Sequence, residues 1–295
     1  MKSVEISVII ANYNNEHYLP DCLDSVLRQT FKDAEVIITD DCSTDGSKEL
    51  IKRYARQYPD LIKAVFNVKN LGISRNRHVG VLVARGKYIT TLDSDDMYAD
   101  ETKLAMEYSL VKCHEAREGR DVIAFSNVRM LFNDKSESLV GTTENIEEGN
   151  ILEAMLLRKC FIPRDFLFKR EMYFLVGGYN PSFKIYEDWN FKLKLAQQYP
   201  FYYTGTIGVI YRRHGHGLSA QGAEEHLKYL RKSFSEIVFS IKKNKNIRKH
   251  KVYFENYLMK NFSSGYRKES NLQLVIFHLK CLMKNISLSC LYFGR

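Results

Sequence analysis

Four short apolar runs alternate with helical segments over the first hundred residues, and this order constrains the fold more than any other feature. The runs cover residues 6–11, 35–39, 62–66 and 88–92. Between the first two runs, from about Glu16 to Gln29, apolar residues recur at helical intervals of three and four. Strands that alternate with helices of about ten to fifteen residues indicate βαβ units and a parallel sheet. We therefore predict an α/β fold whose ligand site lies beyond the carboxyl ends of its strands.

The second half of the chain has a less regular pattern. Further strands are predicted at residues 122–125, 166–168 and 202–212, and a helix from Asp188 to about Gln197. After Gly222 the pattern is helical to the end, so we predict a domain boundary near residues 217–222.

The net charge of +9 is concentrated in this C-terminal part. The segment from Glu225 to Arg295 contains fifteen lysines and arginines and four glutamates, a net charge of +11. The other 224 residues carry a net charge of −2. Lysines interleaved with apolar residues favour amphipathic helices at an anionic membrane surface. Helices that pack on the rest of the chain, or on a second copy in a homodimer, explain the pattern equally well. No nucleic-acid motif is present, so we expect no nucleic-acid partner.

The cysteines and the N-terminus bear on the compartment. The six cysteines are scattered without a CxxC pair, which favours reduced thiols over a zinc site or a disulfide scaffold. The first residues lack signal-peptide architecture, and no window approaches the roughly eighteen apolar residues of a membrane span. We expect a cytoplasmic protein, and binding through the tail would place it peripherally on the cytoplasmic face of the inner membrane.

Two acidic clusters follow predicted strands. Asp40 and Asp41 come after the second strand, and the run from Asp93 to Asp96 comes after the fourth. Carboxylates this close repel one another unless a cation or protons neutralise them. Hard oxygen ligands of this kind suit Mg²⁺ or Mn²⁺. The alternative is a solvated loop whose aspartates cap helices.

Six segments in this order resemble the family 2 glycosyltransferases, which are inverting enzymes of the GT-A fold. They are residues 8–14, 25–30, 40–46, 70–74 with Arg77 and Gly80, 84–88, and 92–96. The resemblance implies a Rossmann-like, mainly parallel central sheet flanked by helices, with a C-terminal helical extension. It also implies a nucleotide-sugar donor and a divalent metal, Mn²⁺ or Mg²⁺.

The resemblance also implies residue roles in the donor site. Asp95 is the principal metal ligand with Asp93 as its outer partner, while Asp96 supports the turn. The donor-binding set is Ala11, Asn12 and Tyr13 at the base and ribose, Asp41 at the base, Arg77 at the diphosphate, and Ser94 with Asp95. Two positions depart from the family pattern: Cys42 stands where glycine or asparagine is common, and His78 where asparagine often follows the arginine.

A second acidic site completes the expected chemistry, because displacement at an anomeric carbon needs a base for the acceptor hydroxyl. Residues 177–179 and 186–189 resemble the family's glycine-rich turn and ED motif. This implies Asp188 as the base and Glu187 in the acceptor pocket; the alternative for both is that they stabilise a helix start. Trp189 is an acceptor-stacking candidate or a core residue. His214, on a glycine-bearing segment, is a candidate metal or diphosphate contact or an ordinary surface histidine.

We therefore predict a catalytic domain at residues 1–220, with donor binding in 1–100 and acceptor binding in 101–220, and a basic helical extension at 221–295. The predicted reaction moves one sugar, from a UDP-sugar as first expectation, to a glycan or lipid-linked glycan in surface polysaccharide biosynthesis. The chain lacks the QxxRW sequence of processive synthases, which favours single-sugar transfer.

Two rival functions remain at this stage. A nucleotidyltransferase-like enzyme would also use an α/β nucleotide site with acidic metal ligands, but it predicts a glycine-rich basic loop after the first strand, where residues 12–16 are asparagine-rich. A non-catalytic scaffold that binds membranes or partners predicts that Asp188→Asn leaves the biological role intact.

Overall fold

The computed structural model of the protein describes residues 4–132, 136–140, 146–213, 222–240 and 247–261. Contacts divide the chain into two compact units, one comprising Met1–Met155 and Lys159–Gly217, the other Leu156–Arg158 and Leu218–Arg295. The described residues of the first unit include every predicted site residue except His214, which lies outside them.

Nine strands form among the described residues: β1 (Ile6–Asn12), β2 (Ala34–Asp40), β3 (Ile62–Phe66), β4 (Tyr88–Asp93), β5 (Met97–Tyr98), β6 (Ile123–Phe132), β7 (Glu137–Val140), β8 (Phe168–Lys169) and β9 (Phe201–Arg213). The described helices are α1 (Leu19–Leu27), α2 (Ser47–Gln57), α3 (Ile73–Val83), α4 (Lys103–Glu118), α5 (Leu152–Leu156), α6 (Arg170–Leu175), α7 (Glu187–Ala196), α8 (Ala223–Ser240) and α9 (Ile247–Asn261). The four strands predicted in the first hundred residues are confirmed, as are the three helices between them.

The first sheet has the order β3-β2-β1-β4-β8, and its first four strands are parallel. This confirms the mainly parallel central sheet. Every residue of β1 is buried, as expected for a strand covered on both faces. Asn12 pairs with Asp40, and Ala11 pairs with Asp93. The carboxyl ends of three neighbouring strands therefore meet at one edge, where both acidic clusters begin.

Helix α3 packs closely on this sheet. A Cβ atom on Gly80 would lie 2.4 Å from Cγ2 of Ile9 on β1, so a larger residue would have to displace the Ile9 side chain or the helix. The close approach fixes the position of α3, and with it Arg77 one turn earlier.

A second sheet, of order β5-β9-β6-β7, pairs β6 and β9 in parallel. The strand predicted at 122–125 is the start of β6, which runs on to Phe132. The strand predicted at 166–168 is wrong in extent, because β8 comprises only Phe168 and Lys169, while Leu167 forms an isolated bridge to Ala124. Phe166 and Leu167 are buried as core residues. Burial explains their apolar character without a longer strand.

The second unit contains α8 and α9, so the helical pattern after Gly222 is confirmed for the described residues there. The rings of Phe234 and Phe254 stack at 4.3 Å, and Arg231 forms an ion pair with Glu255 at 3.2 Å. Among the helices that the structure describes, none has the length and apolar character needed to cross a membrane.

Candidate active site

Arg77 joins the Asp93–Asp96 cluster to the Glu187–Asp188 pair, which lies about a hundred residues later in the sequence. It is only 2% exposed, one Nη donates to Asp93 at the end of β4, and the other donates to Glu187 at the start of α7. The guanidinium carbon of Arg77 lies 5.6 Å from the centre of the Tyr179 ring. A buried guanidinium requires such paired carboxylates. The first half of the predicted site and its second half therefore share one arginine.

The carboxylate cluster after β4 has a donor set suited to a divalent cation. Oxygens of Asp93, Asp95 and Asp96 lie within 4.8 Å of one another. Burial acts to raise the pKa of Asp93, but Arg164 and Arg77 outweigh it and hold this pKa below its usual range. Burial raises the pKa of Asp96 well above its usual range, with Arg164 opposing the shift. A divalent cation would favour the ionised form of both carboxyl groups. Closely spaced carboxylate oxygens are the ligands that Mg²⁺ and Mn²⁺ prefer, so the residues present fit the predicted metal.

Arg164 is a member of this cluster that sequence analysis missed. Its Nε lies 3.0 Å from Oδ2 of Asp93, and an Nη donates to Asp96. The side chain stacks on Tyr211, with 4.4 Å from the guanidinium carbon to the ring centre. Arg164 belongs to no motif and lies in a segment without regular structure. The sequence offers only an indirect signal for it: closely spaced aspartates such as Asp93 and Asp96 require a nearby cation.

Glu187 and Asp188 are adjacent but have different surroundings. Burial raises the pKa of Glu187, with Arg77 opposing the shift. For Asp188, whose side chain is 27% exposed, burial also acts to raise the pKa, but Lys192 and Arg164 outweigh it and hold the pKa well below its usual range. Lys192 donates to Asp188 Oδ2 at 3.0 Å. Neighbouring carboxyl groups with opposite shifts are typical of sites that divide acid and base roles.

The residue before this pair, Tyr186, has a φ of 63°. This left-handed conformation is uncommon for residues other than glycine, and such conformations tend to cluster at functional sites. It turns the backbone directly into the first turn of α7, where Glu187 and Asp188 project.

Asp41 lies at the end of β2 and is engaged with its own protein. Its Oδ1 accepts from Asn67 Nδ2 at 2.9 Å and from the amide of Leu71 at 2.8 Å, and its Oδ2 accepts from the amide of Gly72 at 2.8 Å. The carboxylate thus anchors the loop that leads into α3. A ring N–H of a base would have to share the remaining acceptor capacity of Oδ2.

The other predicted donor-site residues lie at the same edge of the sheet. Ala11 is buried, and Asn12 donates to Asp40 Oδ1 at 2.9 Å while its Oδ1 is buried without a hydrogen-bond partner. Tyr13 is 47% exposed, so its ring is available to a ligand. Ser94 is buried and its Oγ accepts from Asn15 at 2.8 Å.

Trp189 is 4% exposed, with its ring in edge contact with Tyr186 at 6.3 Å. In this position it offers no open face to a sugar, which favours the core alternative over stacking. A cavity of about 610 Å³ lies elsewhere, at the amino ends of the strands, and Asp33, Ala34 and Leu61 are among its lining residues. It is remote from both acidic clusters, and ligands of parallel sheets bind at the other edge.

Comparison with known proteins identifies the first part of the chain. Residues 7–116 match the model of the family described as glycosyl transferase family 2. These residues form a family 2 glycosyl transferase domain. The finding confirms the resemblance drawn from the sequence motifs. The matched segment contains Asp41, Arg77 and the Asp93–Asp96 cluster but ends before Arg164, Glu187 and Asp188.

Several relatives extend beyond the family 2 match. An uncharacterized protein of Mycobacterium tuberculosis is 26% identical over 216 residues, which cover 72% of this chain and 60% of that protein. The chain thus spans about 60% of that relative's length.

Two solved structures show the fold of the family 2 domain and its surroundings. S. aureus TarS 1-349 in complex with UDP-GlcNAc has a TM-score of 0.68 at 18% identity, covering 92% of this chain and 77% of that one. The mannosyltransferase PcManGT from Pyrobaculum calidifontis, in complex with GDP-Man and Mn²⁺, has a TM-score of 0.64 at 17% identity, covering 98% and 81%. The chain has the GT-A type of α/β fold that these structures share.

Proposed function

We propose that this protein is an inverting glycosyltransferase that moves one sugar from a nucleotide-sugar donor to an acceptor hydroxyl. The observation that carries the proposal is the bridge made by Arg77. It holds Asp93 of the predicted donor site and Glu187 of the predicted acceptor site on one buried guanidinium. Asp188 follows Glu187 directly, which supports a single site for the proposed base and the proposed metal carboxylates.

Asp95 and Asp93 are proposed to hold Mn²⁺ or Mg²⁺, which would neutralise the donor's diphosphate and stabilise it as a leaving group. The mannosyltransferase complex with GDP-Man and Mn²⁺ supports this assignment. The TarS complex with UDP-GlcNAc supports a UDP-sugar as the first donor to test. Tyr13 is the exposed aromatic residue proposed to contact the base.

Asp188 is proposed to accept the proton of the acceptor hydroxyl in a single displacement. Its low pKa keeps the carboxylate ionised at neutral pH, so it is always ready to accept a hydrogen bond. The hydroxyl becomes acidic only as its oxygen bonds to the anomeric carbon. A weak base therefore suffices, because the proton moves late in the displacement. Glu187 is buried and paired with Arg77. It is proposed to shape the acceptor pocket and not to take the proton from the acceptor hydroxyl.

The proposed acceptor is a glycan or a lipid-linked glycan. A net charge of +11 between Glu225 and Arg295 supports an encounter with an anionic membrane surface, where lipid-linked acceptors lie. The same charge would serve a scaffold without activity, so turnover has to be tested directly.

The test is release of nucleoside diphosphate from a panel of UDP-, GDP- and dTDP-sugars, in Mn²⁺, Mg²⁺ or EDTA. We expect metal-dependent release from one donor class and a loss of at least about 100-fold in Asp95→Ala. Asp60→Ala, an exposed aspartate in a turn, serves as the control. Full activity in EDTA or in Asp95→Ala would contradict the proposal.

A further inference from the structure

Arg164 and a divalent cation would use the same oxygens. The guanidinium lies against Oδ2 of Asp93 and Oδ2 of Asp96, two of the three carboxylates that form the candidate metal cluster. Oδ1 of Asp93 is paired with Arg77, so Oδ2 is the oxygen left for a metal. Arg164 lies beside that same Oδ2.

Contacts with three different elements fix the backbone of Arg164 and of the next residue, Asp165. The amide of Arg164 donates to Tyr211 Oη on β9 at 3.0 Å, and its carbonyl accepts from Thr91 on β4 at 3.1 Å. Asp165 accepts at its carbonyl from Lys103 Nζ on α4 at 2.8 Å and at its carboxylate from Tyr211 at 2.5 Å. The segment that carries the guanidinium is therefore rigid at its base.

The head of the side chain is held less completely. The side chain is 27% exposed, and Nε is buried without a hydrogen bond of good geometry, although it lies 3.0 Å from Asp93. Its contact with Asp93 is thus mainly Coulombic. A guanidinium with a fixed base, an imperfect bond and a route to solvent can leave its carboxylates without unfolding the segment.

We propose that Arg164 is a built-in competitor of the metal, whose guanidinium must leave Asp93 and Asp96 before a divalent cation binds there. The inference rests on the proposed metal role of the cluster and adds a residue outside the family 2 match. A divalent ion bound beside the guanidinium would meet a like charge, and both would require the same oxygen of Asp93. Displaced from the cluster, the guanidinium stays tethered beside the site.

The first test measures Mn²⁺ affinity by isothermal titration calorimetry, without donor or acceptor, in the wild type and in Arg164→Gln. Removing the competing charge should tighten Mn²⁺ binding by about tenfold or more. Arg164→Lys keeps the charge but loses the planar fork, and should fall between the two. Arg170→Gln is the matched control, because this arginine lies over Phe174 at the opposite edge of the sheet. It should leave the affinity unchanged.

A second test uses the unmodified protein and does not depend on the folding of a variant. Phenylglyoxal labels exposed guanidinium groups, and mass spectrometry locates them. Arg164 should be labelled faster in saturating Mn²⁺ than in EDTA, while labelling of Arg170 stays constant.

Equal or weaker Mn²⁺ binding by folded Arg164→Gln, or labelling of Arg164 that Mn²⁺ leaves unchanged or slows, would overturn the inference. If the wild type binds Mn²⁺ and Arg164→Gln binds it equally, only the inference fails. If neither protein binds Mn²⁺ without donor, the inference fails, while the metal of the proposed function is judged by the EDTA arm of the nucleotide-sugar panel.

Discussion

At the scale of single residues, carboxylates of both acidic motifs in this site have a cation beside them. Asp93 lies between Arg77 and Arg164, and Asp188 pairs with Lys192. A buried charge without such a partner costs several kcal/mol, so these contacts determine which groups stay ionised. They also make the site sensitive to the loss of any one charge.

Asp165, at the base of Arg164, gives a prediction for stability against pH. Burial raises its pKa to about 6, and its Oδ1 is buried without a hydrogen-bond partner. Between pH 4 and 6 the native state holds a proton that the unfolded chain has released. Its contribution to stability is therefore lost as the pH rises through that window. Relative to Asp165→Asn, the wild type should lose up to about 3 kcal/mol between pH 4 and 7.5.

Urea unfolding of the wild type and of Asp165→Asn at both pH values measures this difference. Asp100→Asn is the control of opposite sign, because hydrogen bonds from Thr102 lower the pKa of Asp100. A difference in stability that does not change with pH would contradict the assignment for Asp165.

Cys42 gives a second prediction at this scale. Its φ of 62° lies in the left-handed region, which glycine and asparagine adopt more readily than cysteine. Cys42→Gly should raise the free energy of unfolding by about 0.5–1 kcal/mol, since relief of strain exceeds the added entropy of the unfolded chain. Cys42→Ala retains a Cβ and should give no gain. Equal midpoints for the glycine and alanine variants in urea would refute the strain.

Candidate site residues were predictable only where a motif marks them, and their roles stay predictions. Asp93, Asp95, Arg77 and Asp188 were found from local patterns and do meet at one edge of the sheet. Arg164 was not found, because its role arises from tertiary placement. Trp189 is the opposite case. A sole tryptophan beside an acidic pair suggests stacking on an acceptor sugar, but only the fold shows that its ring is buried.

Among the elements, α3 and the loop before it connect Arg77 with the end of the site that is proposed to bind the nucleotide base. Asp41 holds the loop through the amides of Leu71 and Gly72, and Gly72 itself has a φ of 83° at the start of the helix. A contact assigned to the nucleotide base thus also orders the helix that carries the buried arginine.

Asp41→Asn separates these roles. An amide nitrogen would face a backbone donor, so we expect a loss of about 1–3 kcal/mol in stability and faster hydrogen exchange at Leu71 and Gly72. A pure contact with the base would leave both unchanged in the protein without donor. Hydrogen exchange measured by mass spectrometry or NMR, with Asp60→Asn as the control, decides between them.

Strands β1 to β4 were predictable because each is a short apolar run between polar turns, a pattern that is complete within the local sequence. Helix α4 and the pairing of β6 with β9 were not predicted. The pairing of β6 with β9 joins residues that are about eighty positions apart, and its register shifts between Phe125 and Val128. Such contacts depend on the whole chain, and local periodicity carries little information about them.

At the scale of the whole molecule, the proposed function requires that carboxylates from two distant parts of the chain form a single transferase site, with Asp188 as its base. The family 2 match covers only the first of these parts. A change in the second part, which carries Glu187 and Asp188, therefore tests the proposed function most strictly.

The most direct measurement compares donor binding with turnover in Asp188→Asn, using the donor and metal found in the nucleotide-sugar panel and an acceptor that supports transfer. The account predicts a dissociation constant for the donor within about threefold of the wild type and a kcat at least about 100-fold lower. Glu171→Gln, in the first turn of α6, should change neither value. Wild-type turnover in Asp188→Asn would contradict the central claim.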